Sequence, residues 1–441
     1  MTARITHLPA DLSAALNASS AVLNASSATE TGLPDSGALR QTCRDWLFDK
    51  ALPRWLTEGF DRETGLFKEA LPFTQDDLGY DRNQPIRGRV QPRQLHVMAR
   101  ARLAGFRHPE LDEVLLQGFE VMRDKIHRQK KAPGWGHLLA RDGSVLDGRR
   151  VLYDQAFVLL ACASLHATFQ DSHFLETARV ILAVMDEQMR HPAGGYVEFL
   201  DENGAAGNDP VRWQNPCMHL LEAGLALSQS GAEAGLRKRA LDLAADMTGL
   251  FRDHFFNPQS DCLNEVFDSD WQAINSAEQN YFEPGHHFEW VFLLHEFERN
   301  GGHIAEKTGR LSLSEIAQRL MRVGLEKGLE KGLEQLLSGD ANQTARFALD
   351  RVTHDFTRLD GRRLWPQTEL LRALIIYGED KAAAVYLQNL FDTYLQPPQA
   401  DRDGLWMDSY TQDSTPTARQ VPASTLYHLW GALAFYAGLE K

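Results

Sequence analysis

Residues 283–294 read Glu-Pro-Gly-His-His-Phe-Glu-Trp-Val-Phe-Leu-Leu, and this stretch changes from polar to apolar within about two helical turns. Proline is tolerated in the first turn of a helix, where its missing N–H would have no acceptor. The stretch therefore predicts a helix that begins near Pro284. The start of that helix carries histidines and carboxylates, and its continuation is apolar.

Five other stretches share this character, a polar or aromatic start followed by an apolar helical pattern. Representative residues of the six starts recur at intervals of about 65 residues, the length of two antiparallel helices with their loops. They are Arg93, Tyr153, His219, His286, Trp365 and His428. The interval after His286 is longer because it contains a duplicated Gly-Leu-Glu-Lys segment at 324–331.

Six helical hairpins of this length predict an all-α fold. We expect an (α/α)6 barrel of six inner and six outer helices, with short β-hairpins in the loops beside Gly-aromatic and Asp-Gly turns. The barrel accounts for residues 41–441 as one domain. Residues 1–40 contain a near-repeat, AALNASS then AVLNASS, and we predict a low-complexity leader that is disordered or forms a short helix.

Composition excludes several classes of protein. The formal net charge is -14, which argues against binding to nucleic acid or to an anionic membrane surface. The longest apolar runs are too short to span a bilayer, and no secretory signal precedes them. The four cysteines form no Cys-x-x-Cys pair, which is typical of reduced thiols. We therefore predict a cytoplasmic protein.

The predicted closure of the barrel brings distant residues together. If the six inner helices are roughly parallel, their starts meet at one end and surround one pocket. The residues expected there are Arg93, Tyr153, Asn215, His219, Glu283, His286, Glu289, Trp365 and His428. Each polar residue can instead cap its own helix, an alternative that suits Asn215 better than an arginine and three histidines.

At these positions the sequence resembles the N-acylglucosamine 2-epimerase family, from about residue 40 to the C-terminus. The resemblance rests on five motifs: Arg93-Gln94, Asn215-Pro-Cys-Met-His219-Leu-Leu-Glu-Ala, Glu283-Pro-Gly-His286-His-Phe-Glu289-Trp, Leu364-Trp365-Pro-Gln-Thr-Glu369 and Tyr427-His428-Leu. It implies an (α/α)6 barrel and proton transfer at C2 of a sugar without a metal or another cofactor. The family includes mannose isomerases, 2-epimerases and a branch of mannose-6-phosphate isomerases.

The resemblance also implies roles for individual residues. His286 and His428 would be the acid–base pair, and His219 and Arg93 would hold the C1 and C2 oxygens of an enediolate. Glu289, three residues after His286, would set the tautomer of a catalytic histidine. The substrate would be bound by Asn215, Tyr153 and Glu283, and its ring would stack on Trp365 and Trp406.

One position departs from the pattern. Many relatives carry a histidine two residues after the tyrosine equivalent to Tyr153, whereas this chain has Gln155. A neutral amide can bind a hydroxyl but cannot transfer a proton. His286-x-x-Glu289 lacks the His-Glu-x-x-His spacing of a zinc site, and we predict no metal.

Phosphate is an open question at the sequence level. Arg87, Arg89 and Arg93 form a cluster that can bind a phosphorylated sugar. The alternative is that Arg87 and Arg89 pair with surface acids. The sequence thus leaves free mannose-type sugars, N-acylhexosamines and mannose 6-phosphate as substrates.

Two other classes of function stay open. A glycoside hydrolase or lyase on the same barrel needs two opposed carboxylates, for which the candidates are Asp154, Glu283, Glu289 and Glu369. A non-catalytic sugar- or protein-binding module needs none of the acid–base groups. Exposed outer helices also allow a homodimer.

Overall fold

A computed structural model describes residues 35–440 except for 75–79, 82, 129–130, 208, 275, 277–278, 331–346, 360, 398–399 and 401. Its inner helices are α3 Val90–Leu103, α5 Leu152–Phe169, α7 Gln214–Gln229, α9 Pro284–Arg299, α11 Leu364–Ile376 and α13 Thr425–Tyr436. Its outer helices are α1 Ser36–Asp45 with α2 Leu52–Thr57, α4 Leu111–His127, α6 His173–Val184, α8 Ala234–Leu250, α10 Leu313–Lys327 and α12 Asp380–Leu390. π-Helical turns extend four outer helices: Trp46–Ala51, Met185–Met189, Phe251–Phe255 and Phe391–Leu395.

The inner helices form a closed ring. Each packs against the next in chain order, and α13 packs back against α3. Each outer helix packs against one inner helix: α4 on α3, α6 on α5, α8 on α7, α10 on α9, α12 on α11 and α1 on α13. The predicted (α/α)6 barrel is confirmed, and all six inner helices begin within five residues of the representative residues of their predicted starts.

Short strands join the helices, as predicted. They are β1 Phe60–Asp61, β2 Leu66–Phe67, β3 Ala70–Leu71, β4 Ile86–Arg87, β5 Leu138–Leu139, β6 Val145–Asp147, β7 Arg150–Val151, β8 Phe199–Leu200, β9 Arg212–Trp213, β10 Phe256–Asn257, β11 Cys262–Leu263, β12 Val266–Phe267, β13 Tyr281–Phe282, β14 Val352–Thr353, β15 Arg362–Arg363, β16 Ser409–Tyr410 and β17 Val421–Pro422. All pairings are antiparallel: β1–β2, β10–β11, β9–β12, β13–β14, β15–β16, β3–β17, β4–β5, β5–β6 and β7–β8.

Six of these strands lie directly before the six inner helices and form a collar around one end of the barrel: β4, β7, β9, β13, β15 and β17. The pairing of β17 with β3 places Val421 opposite Leu71 and joins the last repeat to the first. The collar therefore fixes where each inner helix starts.

Buried amides at the helix starts hold the preceding loops. Gln155 accepts from the Trp135 N–H at 2.9 Å and donates to the Trp135 carbonyl at 2.8 Å. Gln367 makes the same pair of bonds to Ala348, at 2.7 and 2.8 Å. Gln155 is 2% exposed and lies outside the pocket described below. Gln155 thus has a structural role, because its amide pairs with the N–H and the carbonyl of Trp135, which would otherwise lack hydrogen-bond partners.

The length and composition of α5 would allow it to cross a membrane, but 83% of the helix is buried inside the barrel. A core helix of a large barrel is apolar on all sides because it has neighbours all round. The predicted leader lies mostly outside the described residues. The first described helix, α1, starts at Ser36 and crosses the boundary predicted at residue 40.

Candidate active site

The six inner-helix starts surround one pocket of about 340 Å³ at the collar end of the barrel. It is lined by Arg87, Arg89, Arg93, Tyr153, Asn215, His219, Glu283, His286, Glu289, Arg363, Trp365, Asp408, Pro422, Ser424, Thr425 and His428. The structure brings together every predicted site residue except Trp406. Closure of the ring does this, because the residues come from all six repeats.

The structure places Trp406 outside this pocket. Its side chain is fully buried, stacks on Trp55 at 5.6 Å between ring centroids and lies 6.3 Å from the ring of Trp46. Both partners belong to the first outer helical segment, so Trp406 fills space between the layers of the barrel. A tryptophan in a loop gives no sequence signal that separates core packing from sugar stacking.

His286 is oriented by Glu265. His286 Nδ1 lies 2.9 Å from Glu265 Oε2, and both side chains are buried. Burial alone would lower the pKa of His286, but Glu265 and then Glu283 outweigh it and raise the pKa to about 9. His286 is therefore an imidazolium at neutral pH. Glu289, the carboxylate predicted to orient a catalytic histidine, does not make this bond.

His428 has the opposite character. Its Nδ1 lies 2.9 Å from Glu369 Oε1, and Glu369 is fully buried. Burial lowers the pKa of His428 despite this carboxylate. At neutral pH His428 is thus a neutral imidazole whose Nδ1–H donates to Glu369, which leaves Nε2 as an acceptor.

His219 is also neutral. Its Nδ1 lies 3.1 Å from Glu222 Oε2, and Tyr427 donates its hydroxyl to Glu222 Oε1. Burial lowers the pKa of His219 to about 4. Three pocket histidines therefore each bind a glutamate through Nδ1, but only His286 carries a charge.

Glu289 is a buried acid without a hydrogen-bond partner for Oε1. Burial and the nearby Glu369 raise its pKa well above the usual range, which favours the protonated carboxyl group. Glu289, Glu369 and His428 offer ligand atoms within 4.8 Å of one another. Glu369 Oε1 and His428 Nδ1 already bond to each other, so we assign no metal to this group.

Arg93 and Trp365 shape the middle of the pocket. Arg93 is 4% exposed, and its Nη2 donates to the Tyr153 hydroxyl at 2.8 Å. The Trp365 ring lies 5.1 Å from the His286 ring and 5.6 Å from the His428 ring. A Cβ atom on Gly285 would lie 2.5 Å from this indole, so only glycine allows Trp365 to pack over the start of α9.

Arginines line the rim of the pocket. Arg87 Nε donates to Glu69 Oε1 at 2.6 Å, and Arg89 Nη1 lies 3.5 Å from Asp154 Oδ1. Both therefore pair with acids, but Glu69 is 9% exposed and Asp154 is fully buried, which corrects the alternative of surface acids. Burial lowers the pKa of Arg89, which indicates that nearby negative charge only partly compensates the loss of water around the guanidinium.

We expect Glu265→Gln to lower the pKa of His286 from about 9 towards its ordinary value, because it removes the carboxylate that holds the proton. NMR titration of the histidine side chains measures this directly. Glu296→Gln, at the other end of α9, is the matched control. An unchanged pKa in Glu265→Gln would contradict the assignment of Glu265 as the partner of His286.

Sequence reasoning missed the glutamates that orient the histidines. Glu222 lies three residues after His219, and Glu369 lies in the Trp365 motif, so spacing could have indicated both. Glu265 gives no such signal because it comes from the loop between β11 and β12, 21 residues before His286. Arg363 reaches the rim from the collar strand β15.

Comparison with known proteins agrees with this geometry. A mannose-6-phosphate isomerase of Rhizobium meliloti (strain 1021) is 31% identical over 406 residues, covering 88% of this chain and 94% of that protein. A D-mannose isomerase of Thermobifida fusca is 29% identical over 213 residues, 45% of this chain and 49% of that protein. The structure of a cellobiose 2-epimerase from Spirochaeta thermophila superposes with a TM-score of 0.74 at 20% identity, covering 93% of this chain and 98% of that one.

The profile of the N-acylglucosamine 2-epimerase (GlcNAc 2-epimerase) family matches residues 73–432. That span includes all six inner helices, with α13 matched up to residue 432, and every residue that lines the pocket. The chain therefore belongs to the N-acylglucosamine 2-epimerase family and is a sugar isomerase or epimerase.

Proposed function

We propose that the protein is an aldose–ketose isomerase that interconverts mannose 6-phosphate and fructose 6-phosphate through a cis-enediolate. The observation that carries this proposal is the charge of the pocket, in which cations exceed acids although the whole chain has a net charge of -14. The cations are Arg87, Arg89, Arg93 and Arg363, and the acids are Glu283, Glu289 and Asp408.

Three of these cations also pair with acids: Arg87 with Glu69, Arg89 with Asp154, and Arg363 with Glu283 and Asp350. Burial raises the pKa of Glu283, Glu289 and Asp408. An enediolate carries one negative charge, for which Arg93 suffices. The remaining arginines fit a dianionic group on the substrate, since guanidinium donors suit phosphate oxygens. The similarity to a protein named mannose-6-phosphate isomerase over 88% of the chain supports the same substrate.

The two flanking histidines divide the proton transfers. His428 Nε2 is a free acceptor, so it takes the proton from C2 as general base, and the C–H electrons form the C1–C2 double bond. His286 is an imidazolium and protonates O1, or stabilises its charge, as the carbonyl electrons move there. The proton held by His428 then returns to C1, while the O2 hydroxyl gives its proton back to His286, or to O1 where His286 has only stabilised its charge, which gives the ketose.

Donors around the pocket stabilise the intermediate. Arg93 is nearly buried and its charge acts in a site with little water, where electrostatic contacts are strong. Protonated Glu289 can donate to an oxyanion from the same side as His219. Asn215 Oδ1 has no protein partner and accepts from a sugar hydroxyl. Trp365 stacks on the sugar between His286 and His428.

Glycoside hydrolysis receives less support. Of the four candidate carboxylates, Asp154 bonds to His137 Nδ1 at 2.7 Å, and Glu369 bonds to His428. Glu283 and Glu289 remain, and burial raises the pKa of both. A hydrolase needs one ionised carboxylate opposite one acid.

Substrate turnover in D2O tests the proposal. The protein is incubated separately with mannose 6-phosphate, mannose, N-acetylmannosamine and cellobiose, and the products are followed by NMR. We expect fructose 6-phosphate with deuterium at C1 and a preference for the phosphorylated sugar. A 2-epimer in place of the ketose, or turnover of mannose without turnover of mannose 6-phosphate, would overturn it.

We also assign the enzyme to the cytoplasm. All four cysteines are free and buried, and burial raises the pKa of each thiol. Such thiols suit a reducing compartment. In the cytoplasm the enzyme would also meet a soluble sugar phosphate.

A further inference from the structure

A buried arginine lies behind the acid–base pair. Arg372 follows Glu369 by one turn of α11, and its Nη1 donates to Glu369 Oε2 at 2.8 Å. The other oxygen of the same carboxylate accepts from His428 Nδ1 at 2.9 Å. Arg372, Glu369 and His428 thus form a continuous chain that ends at the pocket. Arg372 does not line the pocket itself.

Three glutamates surround this arginine. Glu369 is fully buried, Glu289 is 1% exposed, and the Glu222 side chain is 15% exposed. Burial alone would raise the pKa of Glu369, but Arg372 and then the bond from His428 hold it below its usual value. Burial and Glu369 raise the pKa of Glu289, whose Oε1 has no hydrogen-bond partner. The cation thus favours ionisation of Glu369, the carboxyl group that it binds.

We propose that Arg372 is a positioning residue that holds Glu369 as the acceptor for His428 Nδ1–H and so keeps His428 Nε2 free to take the C2 proton. This inference rests on the proposed role of His428 as the general base.

The reason is electrostatic. Without Arg372, Glu369 would share a buried site with the ionised Glu222 and would take up a proton, since like charges in a dry interior oppose ionisation. Protonated Glu369 donates to His428 Nδ1, and the imidazole proton then lies on Nε2, facing the substrate. In that tautomer His428 cannot act as a base.

A cavity at the opposite end of the barrel allows the role of Arg372 to be tested by chemical rescue with guanidinium. Arg372 lines a cavity of about 200 Å³ at the opposite end of the barrel from the pocket. Its guanidinium carbon lies 3.6 Å from the Phe292 ring centroid, and a Cβ on Gly431 would lie 3.6 Å from the same carbon. Truncation of Arg372 leaves a guanidinium-sized space between Phe292 and Gly431 that opens to this cavity.

We expect Arg372→Ala to lower kcat for mannose 6-phosphate by about 10²-fold or more, as for loss of general base catalysis, with little change in KM. Millimolar guanidinium chloride should restore a large part of kcat, whereas sodium chloride at equal ionic strength should not. Arg100→Ala is the matched control, because Arg100 lines the same cavity but pairs with Glu440 at 2.6 Å. It should keep its activity.

NMR of the ¹⁵N-labelled histidines supplies a second measurement that needs no variant to fold. In the wild type His428 should be the Nδ1–H tautomer, and an Nε2–H tautomer there would overturn the proposal. Arg372→Lys, which keeps the charge, should retain the tautomer and more activity than Arg372→Ala. Full activity in folded Arg372→Ala, or a loss that guanidinium does not restore while the tautomer is unchanged, would also overturn it.

A comparison of His428→Asn with Arg372→Ala distinguishes failure of the role of Arg372 from failure of the proposed function. If His428→Asn is active, the assignment of His428 as the base fails. If His428→Asn is inactive while Arg372→Ala is fully active, only the positioning role of Arg372 fails.

Discussion

Replacing His428 by asparagine should lower kcat for isomerisation of mannose 6-phosphate by about 10²- to 10⁴-fold, the usual contribution of a positioned base. Asparagine can keep a hydrogen bond to Glu369 but has no basic nitrogen to take the C2 proton. His286→Asn should cause a loss in the same range because it removes the proton donor to O1. Steady-state assays with both sugar phosphates measure the two variants in both directions.

The pH dependence distinguishes the two roles. Activity requires His286 to be protonated, so kcat/KM should fall as the pH rises through about 9. It also requires His428 to be neutral, so His428 limits activity only in acid, below the usual range of histidine.

His166→Asn is the matched control for the two histidine substitutions, since His166 is buried on α5 and its Nδ1 bonds to the Asp171 backbone carbonyl. Near-wild-type rates in either active-site variant would remove that histidine from the mechanism.

Arg89→Met should lower kcat/KM for mannose 6-phosphate by about 10- to 150-fold, since a hydrogen bond to a charged group contributes about 1.5–3 kcal/mol. Arg89 is the rim arginine with the weakest protein pairing, 3.5 Å from Asp154, which His137 continues to partner in the variant. The methionine keeps most of the side-chain volume against Tyr153 and removes the charge.

Free mannose serves as the internal control for this variant. Its turnover, where measurable in the wild type, should change little, because the sugar has no phosphate for Arg89 to bind. Inorganic phosphate should inhibit the wild type competitively and Arg89→Met more weakly. Equal losses on mannose and mannose 6-phosphate would show that Arg89 supports the fold or the chemistry rather than the phosphate.

The barrel could be predicted from the amino-acid sequence alone. Its repeat of about 65 residues, its prolines in the first turns and its apolar continuations are local features, and they located the starts of all six inner helices within five residues. Ring closure then follows from the number of repeats, so most pocket residues, including His219, His286 and His428, could be identified as one group. The repeat pattern and the family resemblance both identify positions along the chain, and these residues occupy equivalent positions in their repeats.

The hydrogen-bond partners and the protonation states of the pocket residues depend on the tertiary structure. Trp406 and Trp365 are equally aromatic in the sequence, but one packs on Trp55 and the other lies between two histidines. Glu289 was expected to orient a histidine, whereas Glu265 and Glu369 do so. Burial and neighbouring charge set a pKa, and both depend on contacts between segments far apart in the chain. Two histidines of one pocket thus differ in charge, with the pKa of His286 raised and that of His428 lowered.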